Sequence, residues 1–326
     1  MRSSRIGVIV LLMVAVLAGT SCKYYSRVMA RKDLVDGAAA YKGRKFPDAE
    51  QLFRKAVSRD PNGEFVEGQT AQLFLARTLH SEFIGDRSKT DLAESAIAEY
   101  RKSLAQNPND QSSYKAIASL LENLQKTDEW LKWVTDRANN ASIPPEQRAE
   151  ALTSLAAKKN TCANDISDTE ATKKTITKDG KQAFQFVKPA KPEDYDSMKK
   201  CIEEGTTLID QAVNLETPEV KNAASFDVKG AKDPDLQKKL DLLKVFESAR
   251  SYKTSLLYQA MRLAEMDNRI PDRDRLKGEA DAARATFLQL SDVVKKIQTE
   301  IDDRAAAKVE EANRNKTSNA APAANK

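Results

Sequence analysis

The stretch ARKDLVDGAAAYKGRKFPDAEQLFRKAVSRDP, residues 30–61, decides the fold. Within it Gly37, Ala49, Phe53, Ala56 and Pro61 stand 12, 4, 3 and 5 residues apart. Small residues at Gly37 and Ala49 let two helices cross closely, Phe53 fills the gap to the next pair, and Pro61 stops the second helix. The same punctuation returns downstream: Ala96, Tyr100, Ser103 and Pro108 repeat the 4, 3, 5 spacing. Pro61 and Pro108 are 47 residues apart, which places an insertion or a lengthened helix around Ser81 to Lys89, where Gly85 and Asp86 offer a turn. Counting on from Pro108 puts Tyr114, Ile117, Ala118 and Leu121 on the first helix of a third pair. Trp130 then falls where a small residue is expected, and Ile143-Pro144-Pro145 closes that pair.

These spacings resemble those of the tetratricopeptide repeat, a 34-residue helix-turn-helix. The resemblance covers residues 31–142 and fades beyond. It implies an all-α, tetratricopeptide-like helical solenoid in which the first helices line a groove for protein partners. In the first repeat that groove offers Leu34, Ala38, Tyr41 and Lys42. The Lys and Asn with which one subclass grips a terminal carboxylate are missing, since Leu34 and Ala38 occupy two of its positions.

From residue 143 only the alternation of helices persists. Residues 143–216 read as a helix pair, Pro145 to Asn160 and Glu193 to Leu215, with an insertion at 165–192. There the polar-apolar alternation around Asp179-Gly180 predicts a small β-hairpin. After a loop at 217–233, a different period begins. Leu276, Ala280, Ala283, Phe287, Leu290, Val294, Ile297 and Ile301 follow a 4-3 heptad alternation, as do Leu242, Phe246, Ala249, Leu256, Ala260 and Leu263, broken at Lys253. Residues 234–312 are therefore expected to form a long antiparallel αα-hairpin, followed by a disordered tail at 313–326.

The N-terminus carries Arg2 and Arg5, then an uncharged stretch from Ile6, then Ala18-Gly19-Thr20-Ser21-Cys22. Basic, apolar and small-residue regions in that order are the layout of an export signal, residues 1–21. The last five residues resemble the lipobox of bacterial lipoproteins, with Gly19 where that family most often has Leu. The resemblance implies cleavage before Cys22, lipidation of its thiol, and an anchor and linker at 22–30. An uncleaved signal-anchor and plain secretion are the alternatives. A lipidated Cys22 implies a bacterial envelope protein facing the periplasm, and Lys23 after the cysteine favours the outer membrane. Export permits disulfides. With Cys22 lipidated, Cys162 and Cys201 remain, near the end of one predicted helix and the start of the next. A bridge between them is expected, against two buried free thiols.

Composition excludes most chemistry. One histidine, His80, and three cysteines preclude a multi-histidine or clustered Cys/His metal site, so no metal and no cofactor are expected. No glycine-rich phosphate loop occurs. The charge of +5 falls to +3 without Arg2 and Arg5, too little for a nucleic-acid partner. Trp130 and Trp133, at i and i+3, share a helix face and form either core or an aromatic platform for a ligand. The expected function is a non-enzymatic protein-binding scaffold in an envelope assembly or secretion complex. Its rivals are a glycan- or small-molecule-binding lipoprotein and a self-associating structural component; the oligomeric state is left open.

Overall fold

The computed structural model describes residues 3–178 and 180–319, with side chains for 23–177 and 180–315. The expected leader at 1–21 and the Cys22 thiol lie outside the described side chains. The chain divides into two compact units, 1–133 and 134–326.

The first unit holds three helix pairs: α1 (Ser3–Lys42) with α2 (Phe46–Ser58), α3 (Val66–Gly85) with α4 (Thr90–Gln106), and α5 (Gln111–Asn123) with the start of α6 (Thr127–Asn139). The residues 22–30, expected as a linker, are instead part of α1, which is continuous through them. The extra residues of the second pair lengthen its helices: α3 has 20 and α4 has 17, where α2, α5 and α6 have 13 each. Phe53, Ala49 and Ala56 are fully buried. A Cβ on Gly37 would stand 2.7 Å from the Phe53 ring, so α1 and α2 meet where only glycine fits. Ala96 and Tyr100 repeat the buried positions on α4, and Tyr114, Ile117 and Leu121 on α5, with Ala118 half-buried. Pro61 and Pro108 are exposed just beyond the ends of α2 and α4.

Two of these pairs turn on the same device. Arg44 and Gln125 adopt the left-handed conformation, φ 57° in both. Lys45 N donates to Ala40 O at 3.0 Å and Lys126 N to Leu121 O at 2.9 Å, the six-to-one bond of a Schellman turn. The α3–α4 turn differs, with Asp86 accepting from the Ser88 backbone.

Helix α5 starts on a side-chain cap. Asp110 accepts from Ser112 N at 3.1 Å and from Ser113 Oγ at 2.5 Å. Burial alone would raise the Asp110 carboxyl, but bonds from Ser113 and Ser112 outweigh it and hold the group below its ordinary value. A depressed carboxyl stabilises the fold above its unfolded value of 3.8 and loses that contribution as pH falls through the folded value. Asp110→Ala is expected to cost about 1 kcal/mol at neutral pH. Urea denaturation across pH should show the gap to wild type closing in strong acid.

The second unit contains α7 (Pro145–Ser167), strands β1 (Lys173–Lys178) and β2 (Lys181–Phe186), α8 (Pro192–Asn214), a short α9 (Pro218–Lys221), α10 (Asp233–Met266) and α11 (Ile270–Asn319). The expected hairpin is present: β1 and β2 pair antiparallel from Lys173↔Phe186 to Lys178↔Lys181. Gly180 takes φ 71° in its turn, and Asp179 lies outside the described residues. A two-stranded ribbon is marginal by itself. Here Phe186 seats it in a core of Ala163, Met198, Ile202, Leu263 and Met266.

Three boundaries differ from expectation. Helix α7 runs past Asn160 to Ser167, because Ala163 and Ser167 are buried on its inner face. The 217–233 segment is not a plain loop: it contains α9 and a 3-10 turn at Ala223–Ser225, with Val220 and Ala223 buried. Residues 313–319 of the expected tail are instead the end of α11, which runs to Asn319; residues 320–326 lie outside the described residues.

Helices α10 and α11 pack along the heptad seam: Phe246, Ala249, Leu256, Ala280, Leu290, Val294 and Ile297 are buried. Lys253, the break in that pattern, pairs with Asp210 of α8 at 3.0 Å. The α10–α11 turn is again a Schellman turn, with Asn268 at φ 57° and Arg269 N donating to Ala264 O at 2.8 Å. Gly205 of α8 allows a close approach to α7 and α10, since a Cβ would stand 2.8 Å from Leu256 and 3.0 Å from Lys159.

Candidate functional site

In the first unit the opening helices α1 and α3 lie side by side, joined by Tyr41 Oη and Ser81 Oγ at 3.1 Å. Arg77 of α3 continues the layer by donating to Ser112 Oγ of α5 at 3.3 Å. The surface they form is mixed. Leu34, Ala38, Tyr41 and Phe74 are half-buried, Lys42 is exposed, and Val35, one turn from Ala38, is 59% exposed. Arg77 covers the Phe74 ring at 5.4 Å.

Of the four expected groove residues, Tyr41 has a structural task as well. Its ring meets Phe46 at 5.5 Å and Phe74 at 6.0 Å, both edge-on, so it is a joint between α1, α2 and α3. Leu34, Ala38 and Lys42 make no comparable ring contact or side-chain hydrogen bond among the described residues.

The tryptophans do not form a two-ring platform. Trp130 is buried, 7% exposed. Trp133 stacks on Tyr114 at 5.7 Å, donates Nε1–H to the Tyr114 carbonyl at 3.3 Å, and has Arg101 over its ring at 5.8 Å. The i, i+3 spacing puts both rings on one face, which buries Trp130 and leaves Trp133 half-buried.

His80 sits edge-on to Tyr100, Nδ1 to Oη 3.4 Å. Burial, with Arg87 adding, pushes its imidazole below the ordinary range, so the ring is neutral at pH 7. Among the described side chains the two thiols are held in one bridge, Cys162 joined to Cys201 with Cα–Cα 6.2 Å. That bridge ties α7 to α8 beside Phe186. Among the described residues, no group of His, Cys, Asp and Glu could hold a metal, and no helix is long and apolar enough to cross a membrane.

The second unit has a hollow of about 640 Å³ where α8, α10 and α11 meet, floored by Ile209, Val213, Leu256, Leu257 and Leu276. Arg250 closes one end: it grips Glu216 with Nε at 2.7 Å and Nη2 at 2.8 Å, and donates from Nη1 to Thr286 O at 3.0 Å. Its charge is satisfied within the fold. No local sequence pattern signals this hollow, whose walls come from three separate helices.

No family model matches the chain. No curated protein matches it either. Among solved structures, one from work on the functional characterisation of Pseudomonas aeruginosa PilF is 16% identical, covering 86% of this chain and 99% of that one, with a TM-score of 0.30. Yeast Tom70 is 14% identical over 83% of this chain and 76% of its own, with a TM-score of 0.27. The helix pairs and their buried signature positions, rather than these distant likenesses, carry the description of the fold.

Proposed function

We propose that this chain is a non-enzymatic scaffold of the bacterial cell envelope, held to the membrane through Cys22, that binds protein partners of an assembly or secretion complex. One observation carries the binding half: the first-helix surface around Leu34, Val35, Ala38 and Lys42 leaves apolar side chains open beside a basic one. A rigid helical layer with such a surface suits an extended or helical peptide. The ligand-binding alternative loses its tryptophan support, since Trp130 is buried.

The anchoring half rests on the basic, apolar and small-residue order that ends at Cys22. Just beyond it, Tyr24 and Tyr25 are 73% and 63% exposed, among Lys23, Arg27 and Arg31. Aromatic and basic side chains in that position suit a membrane-water interface. Lipidation of Cys22, periplasmic exposure and an outer-membrane location are parts of the same proposal.

Two experiments test it. Cys22→Ala should leave the leader uncleaved and the mature, acylated species absent by mass spectrometry; a variant still cleaved and membrane-bound would end the lipid anchor. For binding, Leu34→Glu with Lys42→Glu should abolish co-purification of a partner crosslinked in cells while leaving circular dichroism unchanged. Equal recovery from the folded variant would place the contact elsewhere.

A further inference from the structure

A second hollow of the 134–326 unit, about 380 Å³, lies between α7, the β-hairpin and α10. Its walls include Asn160, Asn164, Lys173, Phe184, Phe186 and Arg262. The Arg262 guanidinium lies 4.6 Å over the Phe186 ring. Nη1 donates to Ser167 Oγ at 3.0 Å and Asn164 Oδ1 at 3.3 Å, and reaches Gln259 Oε1 at 3.5 Å. Ser167 and Gln259 are themselves buried and bonded to each other at 2.8 Å, so the guanidinium is held firmly.

All those bonds use one nitrogen. Nε and Nη2 have no acceptor among the described residues, and no carboxylate there pairs with Arg262. The other cation of the hollow is already neutralised, Lys173 lying 2.7 Å from Asp168. Burial works against the Arg262 charge and Asp168 only partly offsets it, yet a guanidinium stays protonated. A partly desolvated cation without a counter-ion is costly. One turn before Asn164, Asn160 presents a buried Oδ1 with no hydrogen-bond partner. A purely structural strap from α10 to α7 would account for Nη1, but for neither the bare Nε–Nη2 edge nor the bare Asn160 acceptor.

That edge is the one a guanidinium offers to both oxygens of a carboxylate at once. Phe184, 58% exposed, and Phe186 supply apolar walls beside it. We propose that this hollow binds a small organic carboxylate that also carries an amide N–H and an aromatic or apolar group. Arg262 grips the carboxylate, the Asn160 amide, which lines the hollow, turns its buried Oδ1 to accept from the N–H, and Phe184 and Phe186 flank the rest. The site shares no residue with the proposed protein-binding surface and does not depend on that reading.

N-benzoylglycine has all three features and serves as the probe, titrated into the full chain in detergent by calorimetry. Saturable binding at millimolar concentration or tighter is expected, weakened about tenfold or more for its carboxamide and for inorganic phosphate. Arg262→Lys keeps the charge but not the fork and should weaken the probe about tenfold, and Asn160→Ala several-fold. Absence of binding to wild type at about 10 mM overturns the proposal. So does phosphate binding as tightly as the probe, or an affinity unchanged in Asn160→Ala. If Arg262→Lys fails to fold, the wild-type comparison and Asn160→Ala decide.

Discussion

Replacing Phe53 with Ala is expected to destabilise the first unit by about 3–5 kcal/mol, and to reverse the sign of a second substitution. Phe53 is fully buried, its ring 5.5 Å from that of Phe74. Its Cε1 lies 2.7 Å from where a Cβ on Gly37 would stand. Gly37→Ala alone therefore drives a methyl group into the ring and should cost about 1–3 kcal/mol. In the Phe53→Ala background the same methyl enters vacated space, and alanine favours the helix over glycine by about 1 kcal/mol. There Gly37→Ala should be neutral or stabilising. Chemical denaturation of the four chains of this cycle gives the coupling directly. A cost of equal size in both backgrounds would mean that α1 and α2 do not cross at this pair.

Loss of the Cys162–Cys201 bridge has the next largest expected effect. The two residues are 39 apart, and closing a loop of that length is worth about 4 kcal/mol by the chain-entropy argument. Cys162→Ser with Cys201→Ser should lower the stability of the second unit by about 3–4 kcal/mol. The bridge adjoins the core into which Phe186 fits, so the hairpin should loosen before α10 and α11 do. Hydrogen exchange with and without reductant should show faster exchange over 173–186 and none of it in the first unit. Two freely alkylated thiols in non-reduced peptide maps would contradict the bridge.

What the sequence showed and what it hid divide along a physical line. Regular spacing was legible: Gly37 with Phe53, the repeated positions on α4 and α5, and the heptads of α10 and α11 all express contacts between neighbours in the chain. The Asp179-Gly180 dipeptide marked the hairpin for the same reason. The Schellman turns were not legible, because Arg44, Gln125 and Asn268 take φ 57° without the glycine that normally signals it. Trp130 and Trp133 were legible as sharing a face, but helical spacing does not say whether a face turns inward. Lys253 looked like a flaw in the seam until Asp210 of another helix supplied its partner. Arg262 and Asn164 are 98 residues apart, and no local pattern could bring them together.

Site-specific photocrosslinking in cells tests the protein-binding surface most directly. A photoreactive residue placed at Leu34, at Ala38 or at Lys42 would be compared with one at Lys55, exposed on α2. One common crosslinked partner is expected from the three first-helix positions and none from Lys55. No product from those positions, or the same products from Lys55, would contradict that surface.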